Sequence, residues 1–320
     1  MNGSDPVHLA SKADISGQPI AHEDKRDRTF DELRYSLRSV LAHMPWHRGK
    51  IFIVTPNQWP SWLSNDQDRV VVVDQKEILP AEIGTTFNSF LIEFYLDQIP
   101  GVQDYMIQLN DDYFFSRYAH PRFFFTSDGR LRFFRTNNIW NIDRRASNEQ
   151  LARLSAHSSW DEKLLQALRH TGASIKEVFD DPRATFYWLE HAPYVWTKWS
   201  FSAVRMTFRH HLTEMYGHKF RDPQDLVPTI VHQAYIKRLA EGNAAFAVEE
   251  TNGDQRLLYR FGQLLDNTNV NRIMFNTFLT RRYVMFNIND DLTPNAGPEP
   301  GQQFAAFLAE MYPYPSMVEK

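Results

Sequence analysis

Two short acidic clusters carry the clearest chemical signal in this chain. Asn110-Asp111-Asp112 follows the apolar run YMIQL, and Asn289-Asp290-Asp291 follows the apolar run YVMFNI. Each triplet sits just past a predicted buried strand. In open α/β sheets, ligands bind outside the carboxyl ends of the strands, so the two clusters are placed to meet over one cleft. Hard oxygen ligands suit Mg²⁺ or Mn²⁺, above all where a substrate phosphate completes the shell. Neighbouring residues of a strand point to opposite faces, so Asp111 and Asp112 face one cleft only if the strand has already turned there. The same triplets also fit a plain turn or a helix N-cap.

Basic residues and a histidine extend the set. Arg34 and Arg38 are four apart on a predicted helix and share a face. A guanidinium matches phosphate oxygens with two parallel hydrogen bonds; a solvated helix face is the alternative. Arg221 lies in the loop Lys219-Phe220-Arg221-Asp222-Pro223, where it can grip a ligand or cap a helix. His191, in Glu190-His191-Ala192-Pro193-Tyr194, has the chemistry of a general base toward a hydroxyl, or of a packed structural histidine. The chain has no Gly-rich phosphate loop, no G-x-S-x-G elbow and no H-E-x-x-H. That argues against Rossmann cofactors, P-loop NTPases, elbow-type serine hydrolases and zincins.

The elements that must position these groups follow from composition and periodicity. The 320 residues are 42% apolar and 14% aromatic, enough for a large core. Thirty-five Lys and Arg against 39 Asp and Glu give a net charge of -4, which speaks against a nucleic-acid partner. There is no cysteine, hence no disulfide, thiolate zinc site or thiol nucleophile. The apolar runs fall far short of a membrane span, and the N-terminus is no signal peptide. Residues 1–28 read as loop. Thr29 to Glu32 fits a capping box and opens a helix over 30–43. Strands are predicted at 51–55, 70–73 and 105–109, and a helix at 86–98. Phe123–Phe125 and Leu131–Phe134 are predicted to form a hairpin. Helices are expected across 160–170, 199–216, 225–241 and 304–311, and strands at 244–248 and 283–288. This alternation points to an α/β fold with a largely parallel central sheet flanked by helices.

At these residues the chain resembles the Stealth proteins. The block RDRTFDELRYSLRSVLAHMPWHRGKIFIVTPNQWPSWL at 26–63 is similar to their second conserved region. The likeness continues through TTFNSFLIEFYLDQIPG and YMIQLNDDYFF to residue 115. HAPYVWTKWSFSAV and HKFRDPQDL, within 186–242, resemble the third region. FNINDDL and FLAEMYPYPS, within 283–317, resemble the fourth. Asn2-Gly3-Ser4-Asp5 is similar to the tail of the first. The resemblance implies one catalytic domain over 1–320, related to nucleotide-sugar glycosyltransferases of the GT-A-like fold. Its first strand would be truncated at Met1. The missing cysteine-rich insertions of animal members suggest a fungal-type eukaryotic member. The chain itself reads as soluble; a eukaryotic parent would place it in the Golgi lumen behind a membrane anchor.

The activity implied is transfer of a sugar 1-phosphate from a nucleotide-sugar donor to a hydroxyl of an acceptor glycan, with a divalent metal, Mg²⁺ or Mn²⁺. The positions that carry over from the resemblance are Asp5, Asp111 or Asp112, His191, Arg221, and Asn289 with Asp290. Together with the reading of the residues themselves, this gives His191, Arg221 and Asp112 as the expected catalytic set. Asp5, Arg34, Arg38, Asn88 and Asn289 are expected to bind substrate or phosphate, with Arg34 and Arg38 secondary to Arg221, and Asp111, Asp112 and Asp290 to hold the metal. A glycosyltransferase that moves the sugar without its phosphate is one rival, and an inactive truncated binding module is another.

Overall fold

The computed structural model describes residues 5–17, 28–135, 162–184, 189–241, 243, 249–251 and 258–320. The chain opens with a helix where loop is predicted: α1, Pro6–Ser16. Asp5 caps it, accepting from the amides of Val7 and His8 at 2.9 and 3.0 Å. Pro6 stands at the first helical position and Gly17 closes the helix at φ 66°. The start signal is therefore Asp-Pro rather than apolar periodicity. Helix α2, Glu32–His43, falls where expected. Glu32 reaches back to the Phe30 amide at 2.7 Å and the Thr29 hydroxyl at 3.1 Å. The residue that leads into the helix, however, is Asp31 at φ 69°.

Strands β1, Ile51–Thr55, and β2, Val70–Asp74, pair in parallel, with Ile51 opposite Val70. Asp74 then caps the short α3, Gln75–Ile78. The helix predicted over 86–98 is split. Asn88 accepts from the Phe90 amide and starts α4 at Ser89–Glu93. A 3₁₀ turn, Leu96–Gln98, follows. The Tyr95 amide bonds the Ile92 carbonyl, an i→i−3 contact that tightens the chain and ends the α-helix.

The sheets are small and of mixed sense. β3, Tyr105–Gln108, runs antiparallel to β6, Tyr194–Thr197. β4, Tyr113–Phe115, runs antiparallel to β9, Met285–Asp290, which pairs in parallel with β8, Tyr259–Leu264. β5, Arg132–Phe134, pairs in parallel with β7, Glu249–Thr251. The fold is thus mixed α/β, and the mainly parallel central sheet expected from the sequence is replaced by four small sheets among the described residues. Only four residues separate β3 from β4, too few for the crossover that parallel neighbours need, so the chain leaves one sheet for another at Asn110-Asp111-Asp112. The expected hairpin shrinks to one bridge, Phe125 with Leu131, around the Gly129 turn.

The remaining helices are α5, Glu162–Phe179; α6, Lys198–Thr207; α7, Arg209–Met215; α8, Pro228–Ala240; α9, Thr268–Arg281; and α10, Glu299–Met311. The helix predicted over 199–216 breaks at Phe208. The strand predicted at 244–248 lies outside the described residues. No described helix is long and apolar enough to cross a membrane. Alternation along β4 explains why the acidic triplet is held firmly. Tyr113 and Phe115 enter one core with Phe124 and Trp196, while Phe114 enters another with Phe278, Phe286 and Phe304. A strand buried on both faces cannot slip without exposing aromatic rings.

Candidate active site

The two Asn-Asp-Asp triplets do converge, but through different atoms. Tyr113 of β4 stands opposite Asn287 of β9. The Asp112 carbonyl accepts from the Ile288 amide at 3.3 Å, and Asn287 Nδ2 donates to Asp112 Oδ2 at 3.4 Å. The same amide reaches Asn289 Oδ1 at 3.1 Å. The buried Tyr259 hydroxyl on β8 donates to Asn287 Oδ1 at 2.7 Å. Strand alternation puts Asn287 and Asn289 on one face and Asp290 on the other. Asp290 is therefore turned away from Asp112. It is held instead by Arg28, at 2.7 and 3.0 Å to its two oxygens.

His191, three residues before β6, completes the cluster. Its Nε2 lies 3.5 Å from Asp112 Oδ2 and 3.2 Å from Asn110 Nδ2. Tyr113 packs its edge against the imidazole at 5.0 Å between ring centroids. When the ring is neutral with its proton on Nδ1, the Nε2 lone pair accepts from Asn110. When Nε2 is protonated, Asp112 is its counter-ion. The geometry suits a group that takes up a proton and is then stabilised in place.

Arg221 is held beside this cluster. Its Nε and Nη2 reach Ser89 Oγ at 2.9 and 2.6 Å. Its guanidinium lies 4.2 Å from the Phe90 ring centroid, within cation–π range. Glu93, one turn further along α4, feels the charge of both Arg221 and His191. Burial pushes its carboxyl up, while Arg221, a hydrogen bond from Gln108 and His191 pull it back. Gln108 is itself fixed by the Trp196 indole, which donates to its Oε1 at 2.8 Å. Sequence reasoning missed Glu93; the signal that could have found it is the i,i+4 spacing from Ser89.

Two further carboxylates interact beside this cluster. Asp111 is exposed to solvent, next to Asp112 in the chain. Desolvation and the neighbouring Asp112 push its carboxyl up, with His191 opposing. Burial first, and the Asp111 charge second, push Glu32 at the start of α2 up to about 7. Glu32 was also missed by sequence reasoning, because its local role in opening α2 accounts for it already.

Other expected site residues lie elsewhere. Arg34 and Arg38 both grip Glu319, at 2.6 Å from Arg34 Nε and 2.7 Å from Arg38 Nε and Nη2. Arg38 also donates to the Tyr312 carbonyl. Their positive charge is spent on the C-terminal segment. Asn88 is fully buried, capping α4 with Oδ1 and donating to Asp225 Oδ2 at 2.8 Å. Asp5 caps α1. Among the described residues no three His, Asp or Glu side chains form a ready metal cage. Asp111 and Asp112 still fit the sparser pattern of Mg²⁺, which takes one or two carboxylates plus substrate phosphates and keeps its waters. Asp290, paired with Arg28, does not.

Residues 26–133 match Stealth protein CR2, conserved region 2. Two exopolysaccharide phosphotransferases of Streptomyces coelicolor are 28% and 29% identical to the chain, over its whole length and 50% and 51% of theirs. A capsular polysaccharide phosphotransferase of Haemophilus influenzae is 38% identical over 124 residues, 39% of this chain and 33% of that protein. The chain spans about half the length of the Streptomyces relatives it matches. These relatives are bacterial, and they give no support to the fungal-type origin or the Golgi placement.

Proposed function

We propose that this chain, with a Stealth CR2 region and similarity to bacterial polysaccharide phosphotransferases, transfers a sugar 1-phosphate from a nucleotide-sugar to a hydroxyl of an acceptor glycan. The observation that carries the reading is the contact of His191 with Asp112 and Asn110, where the two acidic triplets converge. The acceptor hydroxyl oxygen attacks the phosphorus attached to the sugar. The bond from that phosphorus to the nucleoside monophosphate breaks, and the monophosphate leaves. The hydroxyl proton passes to His191 Nε2, and Asp112 holds the imidazolium that results. The sugar C1–O bond is never broken, so anomeric configuration is retained.

Phosphoryl transfer is mostly positioning and charge stabilisation. Arg221, pre-aligned by Ser89 and Phe90, is the cation for the non-bridging oxygens. Glu93 keeps Arg221 and His191 in one charge network. A bound Mg²⁺ or Mn²⁺, held by Asp111 and Asp112, would offset the negative charge of the diphosphate. Asn289 is placed to meet a sugar or phosphate beside Asn287.

The test is the leaving group. Incubation with nucleotide-sugars and a glycan acceptor, followed by phosphorus NMR, is expected to yield a phosphodiester and a nucleoside monophosphate. Release of a nucleoside diphosphate overturns the reading in favour of a glycosyltransferase. The His191→Ala variant is expected to lose about 10²–10⁴-fold in kcat, the usual cost of removing a general base. Near-wild-type turnover in that variant removes His191 from the reaction.

A further inference from the structure

Outside the cleft, one buried carboxylate has no role in the chemistry above. Asp225 is 0% exposed, and its carboxylate is tied to the residues that flank the Ser89–Arg221 contact. Its Oδ2 accepts from the Asp222 amide at 2.7 Å and from Asn88 Nδ2 at 2.8 Å. Its Oδ1 accepts from His218 Nδ1 at 2.8 Å. Asn88 and Asp222 are the chain neighbours of Ser89 and Arg221, which grip one another. One carboxylate oxygen thus fixes the residue before the serine and the residue after the arginine.

The rest of the loop is tied to the same strip of chain. The Phe87 amide donates to the Lys219 carbonyl at 2.7 Å, and Lys219 Nζ to the Ile83 carbonyl at 2.6 Å. Those bonds hold the backbone at 219 and need no carboxylate. Asp225 adds what they cannot, a fixed distance between Ser89 and Arg221. Burying a carboxylate is expensive unless its hydrogen bonds are complete. Here three donors supply them, and two of the three belong to the residues beside Ser89 and Arg221.

We propose that Asp225 is a positioning residue for donor binding: it sets the Arg221 guanidinium against Ser89 by clamping Asn88 and Asp222. The proposal rests on the assignment of Arg221 to the donor phosphates. A misplacement of about 1 Å in such a group costs on the order of 10²-fold in rate.

The test is a double-mutant cycle on transfer kinetics with donor and acceptor varied separately. Asp225→Ala is expected to lower kcat/KM for the donor by about 10- to 100-fold and to leave acceptor KM unchanged. Combined with Arg221→Ala, it is expected to add no further loss, because the residue it acts through is gone. Asp225→Asn keeps an oxygen for Asn88 and Asp222 and is expected to restore most of the donor kcat/KM. If Asp225→Ala fails to fold, His218→Ala, at a partly exposed position, carries the same cycle with a smaller loss. Multiplicative losses in the double variant, or an equal rise in acceptor KM, overturn the proposal. With an active wild type and an impaired Arg221→Ala, that result leaves the proposed function standing. An inactive wild type, or an Arg221→Ala variant at full activity, overturns both.

Discussion

Protonation of one buried histidine should make this protein acid-sensitive well above the carboxylate range. His232, on α8, is 1% exposed. Its ring lies 4.2 Å from Phe201, 5.0 Å from Trp196 and 5.9 Å from Phe94 between centroids. Neither ring nitrogen has a hydrogen-bond partner. Desolvation, with the Arg205 charge adding to it, lowers its pKa from 6.5 to about 3. Above pH 6.5 the ring is neutral folded and unfolded, so it contributes nothing to pH dependence. Below 6.5 the unfolded chain binds a proton that the native state refuses, and stability falls with pH. At pH 5 the unfolded imidazole lies about 1.5 units below its own pKa. At about 1.36 kcal/mol per unit, the loss is about 2 kcal/mol. That figure does not depend on the native pKa once it lies well under 5. The assay is urea unfolding at pH 8 and pH 5, for wild type and His232→Leu. The other histidines held low by burial, His43, His47 and His170, act alike in both proteins and cancel in the difference. Glu319, held down at about 2, adds its own acid sensitivity only as pH falls below 4.5. The wild type should lose about 2 kcal/mol more than the variant between the two pH values. An equal loss in both refutes the assignment.

Glu319→Gln should separate a structural from a catalytic role for Arg34 and Arg38. Removing the shared carboxylate leaves buried Arg38 uncompensated, so unfolding free energy should fall by about 3–5 kcal/mol with donor kcat/KM unchanged. The reverse pattern in urea titration and kinetics would return the two arginines to the phosphate site. Glu93→Gln should lower transfer by about tenfold, or about 1.4 kcal/mol, with no loss of melting temperature. Burial already disfavours its charged form, so the neutral amide relieves a cost. A parallel fall of activity and stability would make Glu93 a packing residue instead.

What could be read from the sequence divides along physical lines. α2, β1, β2 and β3 were legible because periodic or β-branched runs ended at clear stops. α1 was not, because its start lies in the Asp5-Pro6 cap and its faces are poorly segregated. β8 and α9 left no distinct pattern, since Gly262 breaks the first and Asn271, Arg272, Asn276 and Thr277 are scattered through the second. The site was half legible. The first Asn-Asp-Asp lies past the end of β3 as expected, whereas Asn289 and Asp290 of the second still belong to β9. The pairing of Arg221 with Ser89 spans 132 residues of sequence and has no local trace. The two triplets looked alike, but alternation along β9 sends Asp290 to Arg28 rather than toward Asp112.

That asymmetry has a chemical consequence for His191. On β9 the cleft face carries amides, Asn287 and Asn289, where a second carboxylate pair would have been a plausible design. A carboxylate at 287 would repel Asp112 across 3.4 Å. The amide instead donates to it and adds no charge. Its orientation is not free. An ionised carboxylate only accepts, so Asp112 holds the Asn287 Nδ2 toward itself and leaves Oδ1 to accept from the Tyr259 hydroxyl at 2.7 Å. Donation therefore runs one way, from Tyr259 through Asn287 to Asp112, and Asp112 faces His191 as an acceptor. A directed chain of this kind polarises along its length. Tyr259 on β8, Asn287 on β9, Asp112 just before β4 and His191 just before β6 thus bring two separate sheets together where the chain passes from β3 to β4.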